Sequence, residues 1–408
     1  MSVRLRHVAT INPSTPEFEL LPDTAELPFL PLEAVWPGDR LDTTRRQSKA
    51  AVSTGYTRFR EGDILLPKIT PTFLADRTVI AVGIEGGVGA GTTELHVVRA
   101  GPDADVRYLR YLLSSKKFLD EGEASMLGVA GQKRVPDDCL RDLRVPVVDL
   151  RHQRAIADHL DRETNRIDTL IENYERLKEQ LRRRLDARIS QATCASWVGM
   201  GGPLPSDWRA LPLRRCFDGM DYGIGERSQA SGPIAVLGMG NVEPRRVVGE
   251  PGGYVELLDD RLLLLPGDLL FNRTNSLALV GKVAIWLGGD QPTTFASYLV
   301  RLRTSSIADP RYLNLLLNTS EVLALARAIA LPSIGQANLN PNRYGSLRIP
   351  LPPLSAQRQL ASELEVEEKE NGVLTLKLQK QLQLLAEHRQ ALITAAVNGE
   401  LAIPEVAA

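Results

Sequence analysis

The feature that most constrains this chain is an internal repeat of about 200 residues, which recurs with almost no change of register. Arg107-Tyr108-Leu109 returns as Arg311-Tyr312-Leu313, which lies 204 residues later. The same offset relates Gly131-Gln132 to Gly335-Gln336, Val145-Pro146 to Ile349-Pro350, and Gln153-Arg154 to Gln357-Arg358. Chance similarity between apolar stretches would not keep such pairs in one register over about 90 residues. The chain is therefore expected to fold as a duplicated unit.

Each repeat has a globular part and a helical part. Residues 1–149 and 197–353 contain Gly and Pro between short β-rich runs, as in compact α+β domains. A Pro-containing stretch then leads into residues 150–196 and 354–399, which lack Pro and carry apolar residues at helical spacing. Residues 400–408 form a short tail. The sequence predicts an α+β fold with two tandem domains and two long helices.

The two predicted helices have the length and the apolar stripe expected of a pair. Forty residues of helix span roughly 60 Å, and a helix that long with one apolar side needs a partner. The second helix is the obvious partner of the first, and the order of the chain then makes the pair antiparallel. We expect a coiled coil with a pseudo-two-fold axis across its middle. The alternative is that each helix packs on its own domain.

Four phrases occur twice and in the same order. They are EGDILLPKITP and PGDLLFNRTNS, RYLRYLL and RYLNLLL, VAGQKRV and SIGQANL, and RVPVVDLRHQRAIADHL and RIPLPPLSAQRQLASEL. On these phrases, and on the order of its parts, the whole chain resembles the specificity subunits of type I restriction-modification systems. One departure is Lys68, where many relatives have Arg or an Asn-like residue.

The resemblance implies a non-catalytic, cytoplasmic protein of bacterial defence that needs no cofactor. Its two target-recognition domains would each read one half of a bipartite site in double-stranded DNA. The helices would set the unread spacer and dock methyltransferase subunits, two per chain, with restriction and translocase subunits joining through the complex. Such a spacer is physically reasonable, because the distance between two half-sites must match the distance between their readers.

Base reading requires forked hydrogen-bonding groups, typically Arg or Lys for guanine and Asn or Gln for adenine. The loops after the two Gly-Asp strands supply Lys68, Thr70 and Thr72 in the first repeat and Asn272, Arg273, Thr274, Asn275 and Ser276 in the second. The Gly-Gln loops add Gln132, Lys133 and Arg134, and Gln336 and Asn338. The basic residues Arg45, Arg46, Lys49, Arg245 and Arg246 are more typical of phosphate contacts or solvated loops. Because the loops differ between repeats, we expect an asymmetric target, although each residue could equally belong to a polar turn.

Composition and motifs argue against other classes. A net charge of −1 is unlike a charge-driven nucleic-acid coat, so DNA binding must come from local patches. The three cysteines and five histidines form no metal-ligand pattern, and no apolar run approaches the roughly 20 residues that span a bilayer.

The main alternative is an enzyme, either a DNA methyltransferase or a nuclease-associated chain. However, Asn340-Pro341-Asn342-Arg343 lacks the second Pro and the aromatic residue of an amino-methyltransferase motif. The glycine run 86–91 leads into a β-like segment, so we interpret it as a turn rather than a cofactor loop. A coiled-coil adaptor, the third possibility, would explain the helices but not the duplicated domains with unlike loops.

Overall fold

The computed structural model describes residues 2–36, 40–128, 133–225, 228–256, 259–333 and 335–403. The chain divides into two compact units. Unit 1 comprises Met1–Arg176 and Leu378–Ala408, and unit 2 comprises Leu177–Lys377. Both boundaries lie inside long helices, so each long helix contributes to both units.

Unit 1 begins with a mixed α+β head. Its strands are β1 (Ser2–Arg4), β2 (Ala9–Ile11), β3 (Glu26–Leu30), β4 (Val35–Trp36), β5 (Arg40–Leu41), β6 (Arg46–Ser48), β7 (Thr57–Arg60), β8 (Ile64–Pro67), β9 (Val79–Ile80), β10 (Val88–Gly91), β11 (Leu95–Ala100) and β12 (Arg144–Pro146). Its helices are α1 (Pro16–Glu19), α2 (Val106–Leu112), α3 (Lys116–Ser125) and α4 (Asp137–Asp142), followed by the long helix α5 (Leu150–Ala192). The strands form two four-stranded sheets, in the orders β6-β3-β10-β7 and β2-β11-β8-β9, and the two-stranded ladders β1-β12 and β4-β5.

Unit 2 repeats this plan with more strands. They are β13 (Arg209–Pro212), β14 (Phe217–Tyr222), β15 (Ile234–Leu237), β16 (Val242–Glu243), β17 (Arg245–Val247), β18 (Gly253–Val255), β19 (Leu269–Asn272), β20 (Thr274–Asn275), β21 (Val283–Ile285), β22 (Thr293–Phe295), β23 (Leu299–Thr304), β24 (Leu331–Ser333), β25 (Gln336–Asn338) and β26 (Arg348–Leu351). The helices are α6 (Trp197–Met200), α7 (Pro310–Leu317), α8 (Ser320–Ala328) and α9 (Pro341–Gly345), followed by the long helix α10 (Leu354–Val397). The sheet orders are β14-β23-β19-β21-β17-β16, β18-β15-β22 and β20-β25-β24, with the ladder β13-β26.

The apolar run of each Gly-Asp phrase forms a central strand that is buried on both faces. In β8, Ile64 and Leu66 pack into one cluster and Leu65 into another. In β19, Leu269 and Phe271 likewise belong to one cluster and Leu270 to a second. Successive side chains of a strand point to opposite faces, so a strand between two apolar layers needs an unbroken apolar run.

The Gly-Asp pair that precedes each of these strands has a structural role. Asp63 is buried and accepts two hydrogen bonds from Arg99 of β11, both of 2.7 Å. Asp268 is also buried and accepts bonds of 2.7 and 2.6 Å from Arg303 of β23. The glycines before them, Gly62 and Gly267, have φ values of 85° and 96°, which only glycine adopts readily. The motif thus fixes the start of the strand that carries the candidate loop.

The glycine run 86–91 differs in part from the sequence interpretation, which expected only a turn. Its last four residues form β10, which pairs with both β3 and β7. Glycine is required there by close packing: a Cβ on Gly89 would lie 2.5 Å from the Phe59 ring, and one on Gly91 would lie 2.8 Å from the Leu30 carbonyl.

The two long helices run antiparallel within each unit. In unit 1, Leu160 of α5 shares a buried cluster with Ala396 of α10, and Arg389 donates to Asp168 at 3.0 Å. In unit 2, Leu185 shares a cluster with Leu364. Within each unit, the residues of α5 and α10 that contact one another therefore have rising numbers in one helix and falling numbers in the other. The predicted fold class is confirmed.

The ends of the helices are buried more completely than their centres. In α5, every residue from 168 to 184 keeps part of its surface exposed. In the part of α10 that belongs to unit 2, the exposed fractions of Val366, Val373 and Leu376 are 56, 46 and 66%. The centre of α10 has apolar residues on more than one face, so a single partner helix cannot cover them all.

Candidate nucleic-acid interface

In unit 1 the two loops that the sequence singled out lie side by side. The Thr70 amide donates to the Lys133 carbonyl at 3.0 Å, and the Val135 amide donates to the Lys68 carbonyl at 2.9 Å. Gln132 was part of the same prediction and lies outside the described residues. The loop after β8 and the segment before α4 therefore form one surface.

Unit 2 brings the corresponding loops together in the same register. The Leu339 amide donates to the Arg273 carbonyl at 2.8 Å, as Val135 does to Lys68. Next to this bond, Thr274 of β20 lies opposite Asn338 of β25. The repeat thus preserves the contact between the loops, while the side chains that they carry differ.

A cleft of about 610 Å³ opens beside Lys68 in unit 1. Its walls include Asn12, Tyr56 and Arg58, which the sequence analysis did not single out. The Arg58 guanidinium pairs with Glu19 and lies 4.0 Å from the centre of the Phe18 ring. Tyr56 directly precedes β7 and Arg58 lies within it, and no sequence motif surrounds them. Only the fold reveals that they line the same cleft as Lys68.

The buried residue His96 contacts the backbone of the segment before α4, which forms part of the loop surface of unit 1. Its Nε2 lies 2.9 Å from the Val135 carbonyl. Burial lowers the pKa of His96 to about 4; the charge on Lys68 adds to this effect, and the Val135 hydrogen bond and Asp137 oppose it. The ring is therefore neutral at pH 7, with its proton on Nε2, where it donates to Val135.

Arg134, although exposed, is held by an acidic neighbour. Its Nε and Nη2 donate to the two carboxylate oxygens of Glu94 at 2.9 and 2.8 Å. These hydrogen bonds lower the pKa of Glu94, which stays ionised at neutral pH. A bidentate pair of this kind fixes the plane of the guanidinium and compensates most of its charge.

The loop surface of unit 2 is centred on Arg273. Its Nη2 donates to Asn338 Oδ1 at 2.9 Å, and its guanidinium carbon lies 5.0 Å from the centre of the Tyr222 ring. The Arg273 amide also donates to the Tyr298 carbonyl at 3.1 Å. The exposed fractions of Tyr222 and Tyr298 are 49 and 45%. Neither tyrosine was predicted from the sequence, where their only signal is an aromatic residue next to a β-rich run: Tyr222 ends β14, and Tyr298 directly precedes β23.

The other predicted loop residues divide into supports and exposed groups. Asn272 is buried and donates to the Met239 carbonyl at 3.4 Å, and Thr274 is buried in β20. Thr72 donates to the Ile69 carbonyl at 2.7 Å. The exposed or partly exposed members are Lys68, Thr70, Lys133, Asn275, Ser276, Gln336 and Asn338.

The five basic residues considered for phosphate contacts form no hydrogen bond or ion pair with these loops, as far as the described residues extend. Lys49 pairs with Asp23. Arg45 pairs with Glu33 and Arg46 with Glu85. Arg246 pairs with Glu243 at 2.9 Å. Arg245 is only 16% exposed and pairs with Asp186 of α5 and Glu368 of α10. It therefore supports the helices of unit 2.

Among the described residues there is no group of His, Cys, Asp and Glu side chains that could hold a metal ion. The segment that resembles an amino-methyltransferase motif is a helix cap, because Asn340 Oδ1 accepts from the Asn342 amide at 2.8 Å. Within the same described ranges, no helix is both long and apolar enough to cross a membrane.

No sequence-family model matches the chain. Over 148 residues the chain is 39% identical to the type I restriction enzyme EcoEI specificity subunit of Escherichia coli; the match covers 35% of this chain and 24% of that protein. The chain thus spans about a quarter of the length of this curated relative.

Two solved structures share the fold over almost the whole chain. One comes from work described as the structural basis underlying complex assembly and conformational transition of the type I R-M system, with 17% identity, 98% of both chains covered and a TM-score of 0.76. The other is the HsdS subunit from Thermoanaerobacter tengcongensis, with 18% identity, 98% of this chain and 97% of that chain covered, and a TM-score of 0.50. The resemblance found in the repeated phrases is confirmed: in part of its sequence and in nearly all of its fold, this chain is similar to the specificity subunits of type I restriction enzymes.

Proposed function

We propose that this chain is the sequence-specificity subunit of a type I restriction-modification complex, and that each unit reads one half of a bipartite DNA target. The observation that carries this proposal is the paired loop surface that occurs in both units in the same register. In unit 1 it presents Lys68 and Lys133, and in unit 2 it presents Arg273, Asn338 and Gln336. These are the residue types that discriminate base edges.

The repeat separates a common framework from a variable surface. The Asp63–Arg99 and Asp268–Arg303 pairs and the contacts between the loops are the same in both units. The side chains that the loops present differ between the two units. Rigid strands that carry variable loops are the usual arrangement for recognition. Two unlike surfaces on one framework support an asymmetric target.

The basic residues outside the loops are candidates for phosphate contacts. Arg45, Arg46 and Arg246 each pair with a glutamate at the surface. Exposed ion pairs contribute only about 0–1 kcal/mol, so these arginines could exchange a carboxylate for a phosphate at little cost. We do not include Arg245 among the contacts, because it is held between the two long helices.

The long helices are proposed to act as the spacer. α5 has 43 residues and α10 has 44, so each is roughly 65 Å long at about 1.5 Å per residue. A helix of fixed length that contributes to both units would fix the number of unread base pairs between the half-sites.

The exposed apolar face of α10 supports the docking of a methyltransferase subunit. Val366, Val373 and Leu376 lie within an arc of about 80° when each residue turns the helix by about 100°. Exposed apolar side chains in such a row are typical of protein interfaces. We propose two methyltransferase subunits per chain, with restriction subunits joining through the complex and supplying the remaining chemistry.

Selection from a randomised DNA library tests this function. The full chain, purified with the subunits that accompany it, is mixed with duplexes that contain a random central region, and the bound fraction is sequenced. We expect two blocks of specified bases at a fixed separation, with unspecified bases between them. A single specified block, or no enrichment at all, would contradict the proposal.

A further inference from the structure

The Arg273 guanidinium has both a polar and an aromatic neighbour at the loop surface of unit 2. Asn338 Oδ1 accepts from Nη2 at one edge, and the Tyr222 ring lies 5.0 Å from the guanidinium carbon. Asn338 is itself fixed, because it lies in β25 opposite Thr274 of β20. Both the direction and the plane of the fork are therefore set by the protein.

The charge on Arg273 is not compensated by an acidic side chain within the described residues. Its polar side-chain contact is the neutral amide of Asn338, and its Nε has no hydrogen-bond partner there. By contrast, Arg134 forms an ion pair with Glu94, and Arg246 forms one with Glu243. Arg273 is partly exposed and thus keeps its positive charge at the loop surface, whereas the Nε that lacks a partner is buried.

This arrangement suits a base edge better than a phosphate. A phosphate can also take a bidentate arginine, but its oxygens accept hydrogen bonds from several directions, so it does not need a fork that the protein has oriented in advance. Guanine presents O6 and N7 side by side in the major groove, and two parallel donors of arginine match them only when the fork is correctly oriented. Positioning by an amide and an aromatic ring, without neutralisation, meets this requirement.

We infer that Arg273 reads a guanine in the half-site bound by unit 2, and that Asn338 and Tyr222 position its guanidinium. The inference rests on the proposed function and adds the identity of one base to it. Among the described residues of the two loops in unit 1, no arginine occupies the corresponding place with its charge uncompensated. Lys68, whose carbonyl occupies the place of the Arg273 carbonyl, has a single ammonium group, and Arg134 is held by Glu94.

The randomised library, repeated with variants of the purified complex, tests the inference. Arg273→Lys keeps the charge and removes the fork, while Arg273→Gln removes both. We expect Arg273→Gln to lose the preference for guanine at one position by on the order of tenfold, and Arg273→Lys, whose ammonium can still donate to guanine, to lose part of it. Arg273→Lys should keep most of the overall affinity. The other half-site serves as an internal control and should be unchanged.

Two further variants distinguish positioning from structure. Asn338→Ala should reduce the guanine preference at the same position, because the fork loses its lateral partner. Asn338→Asp retains an acceptor but would pair with Arg273 as Glu94 pairs with Arg134, so it should lower the affinity for all sequences and should not restore the preference. Lys68→Gln, at the corresponding place in unit 1, should alter only the half-site that unit 1 reads.

Three results would overturn the inference. A full guanine preference in Arg273→Lys would show that the fork is not needed. A guanine preference that persists in Arg273→Gln, with affinity lowered equally for all sequences, would make Arg273 a phosphate contact. Loss of every preference in that half-site would make its role structural. If the unaltered complex selects no bipartite motif, the proposed function itself fails, and this inference with it.

Discussion

Gln153 and Gln357, which lie 204 residues apart in the sequence, make the same three hydrogen bonds in the two units. The Oε1 of Gln153 accepts from the Asp105 amide at 2.8 Å, and that of Gln357 accepts from the Asp309 amide at 2.7 Å. Each Nε2 donates to two carbonyls, those of Val148 and Asp103 in unit 1 and those of Pro352 and Ile307 in unit 2. The glutamine in the first turn of each long helix thus joins that helix to the head of its unit.

Replacing Gln357 with Ala should destabilise unit 2. The substitution removes three hydrogen bonds and leaves an amide and two carbonyls without their partner in a buried site, a loss on the order of 2–4 kcal/mol. Urea unfolding of the full chain measures the change. Gln359→Ala is the matched control on the same helix, because Gln359 is exposed; its effect should stay below about 0.5 kcal/mol. Equal losses of unfolding free energy in the two variants would show that the hydrogen bonds of Gln357 do not stabilise unit 2.

His96 predicts a loss of stability in acid. Its pKa is about 4 in the folded protein against 6.5 for the free side chain, mainly because of burial. The unfolded chain therefore takes up a proton below pH 6.5 while the folded chain does not, and the free energy of unfolding falls as the pH drops from 6.5 toward 4. At pH 5 the loss is about 2 kcal/mol, at about 1.4 kcal/mol per pH unit. Above pH 7 this residue makes no contribution.

The pH effect can be isolated by comparing variants. Urea unfolding at pH 7 and pH 5 should give a smaller difference for His96→Gln than for the unaltered chain, because carboxylates still titrate in both. His388→Gln, which changes an exposed histidine, should leave the difference as it was. If His96→Gln keeps the whole acid sensitivity, the histidine is not the responsible group.

Glu94→Gln should strengthen DNA binding by unit 1. The substitution removes the carboxylate that compensates Arg134 and lies near Lys68, so one more positive charge becomes available to a phosphate. The slope of log affinity against log salt should become steeper by about 1. Titration of DNA at several KCl concentrations measures this slope. Glu370→Gln removes an exposed charge from α10 and controls for net charge; a slope that changes equally in both variants would contradict the role given to Arg134.

The double substitution Val373→Ser and Leu376→Ser should weaken association with the methyltransferase subunit. Both side chains are exposed, so the stability of the chain should change by less than about 0.5 kcal/mol. Central apolar contacts typically cost about tenfold or more in affinity when they are removed from an interface. Co-purification and sedimentation measure the association. The pair Glu370→Ser and Lys377→Ser, on exposed positions of the same helix, should have little effect; similar losses in both pairs would argue against a specific apolar contact.

The repeat and the periodicity of the helices predicted the fold class, because both can be counted directly along the sequence. The sequence singled out both loops of each unit, but only the fold reveals that they are adjacent, through bonds such as that from the Val135 amide to the Lys68 carbonyl. The internal strand β10 did not follow from the sequence either, because its glycines are required by Phe59 and Leu30 from distant parts of the chain.

The chemical state of individual side chains could not be read from the sequence. Arg245 and Arg246 are neighbours, yet only Arg245 is held by Asp186 and Glu368, which are brought to it by the long helices. Asn272 and Arg273 are also neighbours, but Asn272 ends β19, which is buried on both faces, whereas Arg273 follows that strand and is partly exposed. Such differences depend on tertiary contacts rather than on residue type.

The most direct test of the central claim is a map of methylated bases in the genome of cells with this gene and of cells in which it is deleted. The account predicts that deletion removes methylation from one motif, made of two unlike half-sites at a fixed separation. An unchanged map, with the methyltransferase subunits present, would contradict the account.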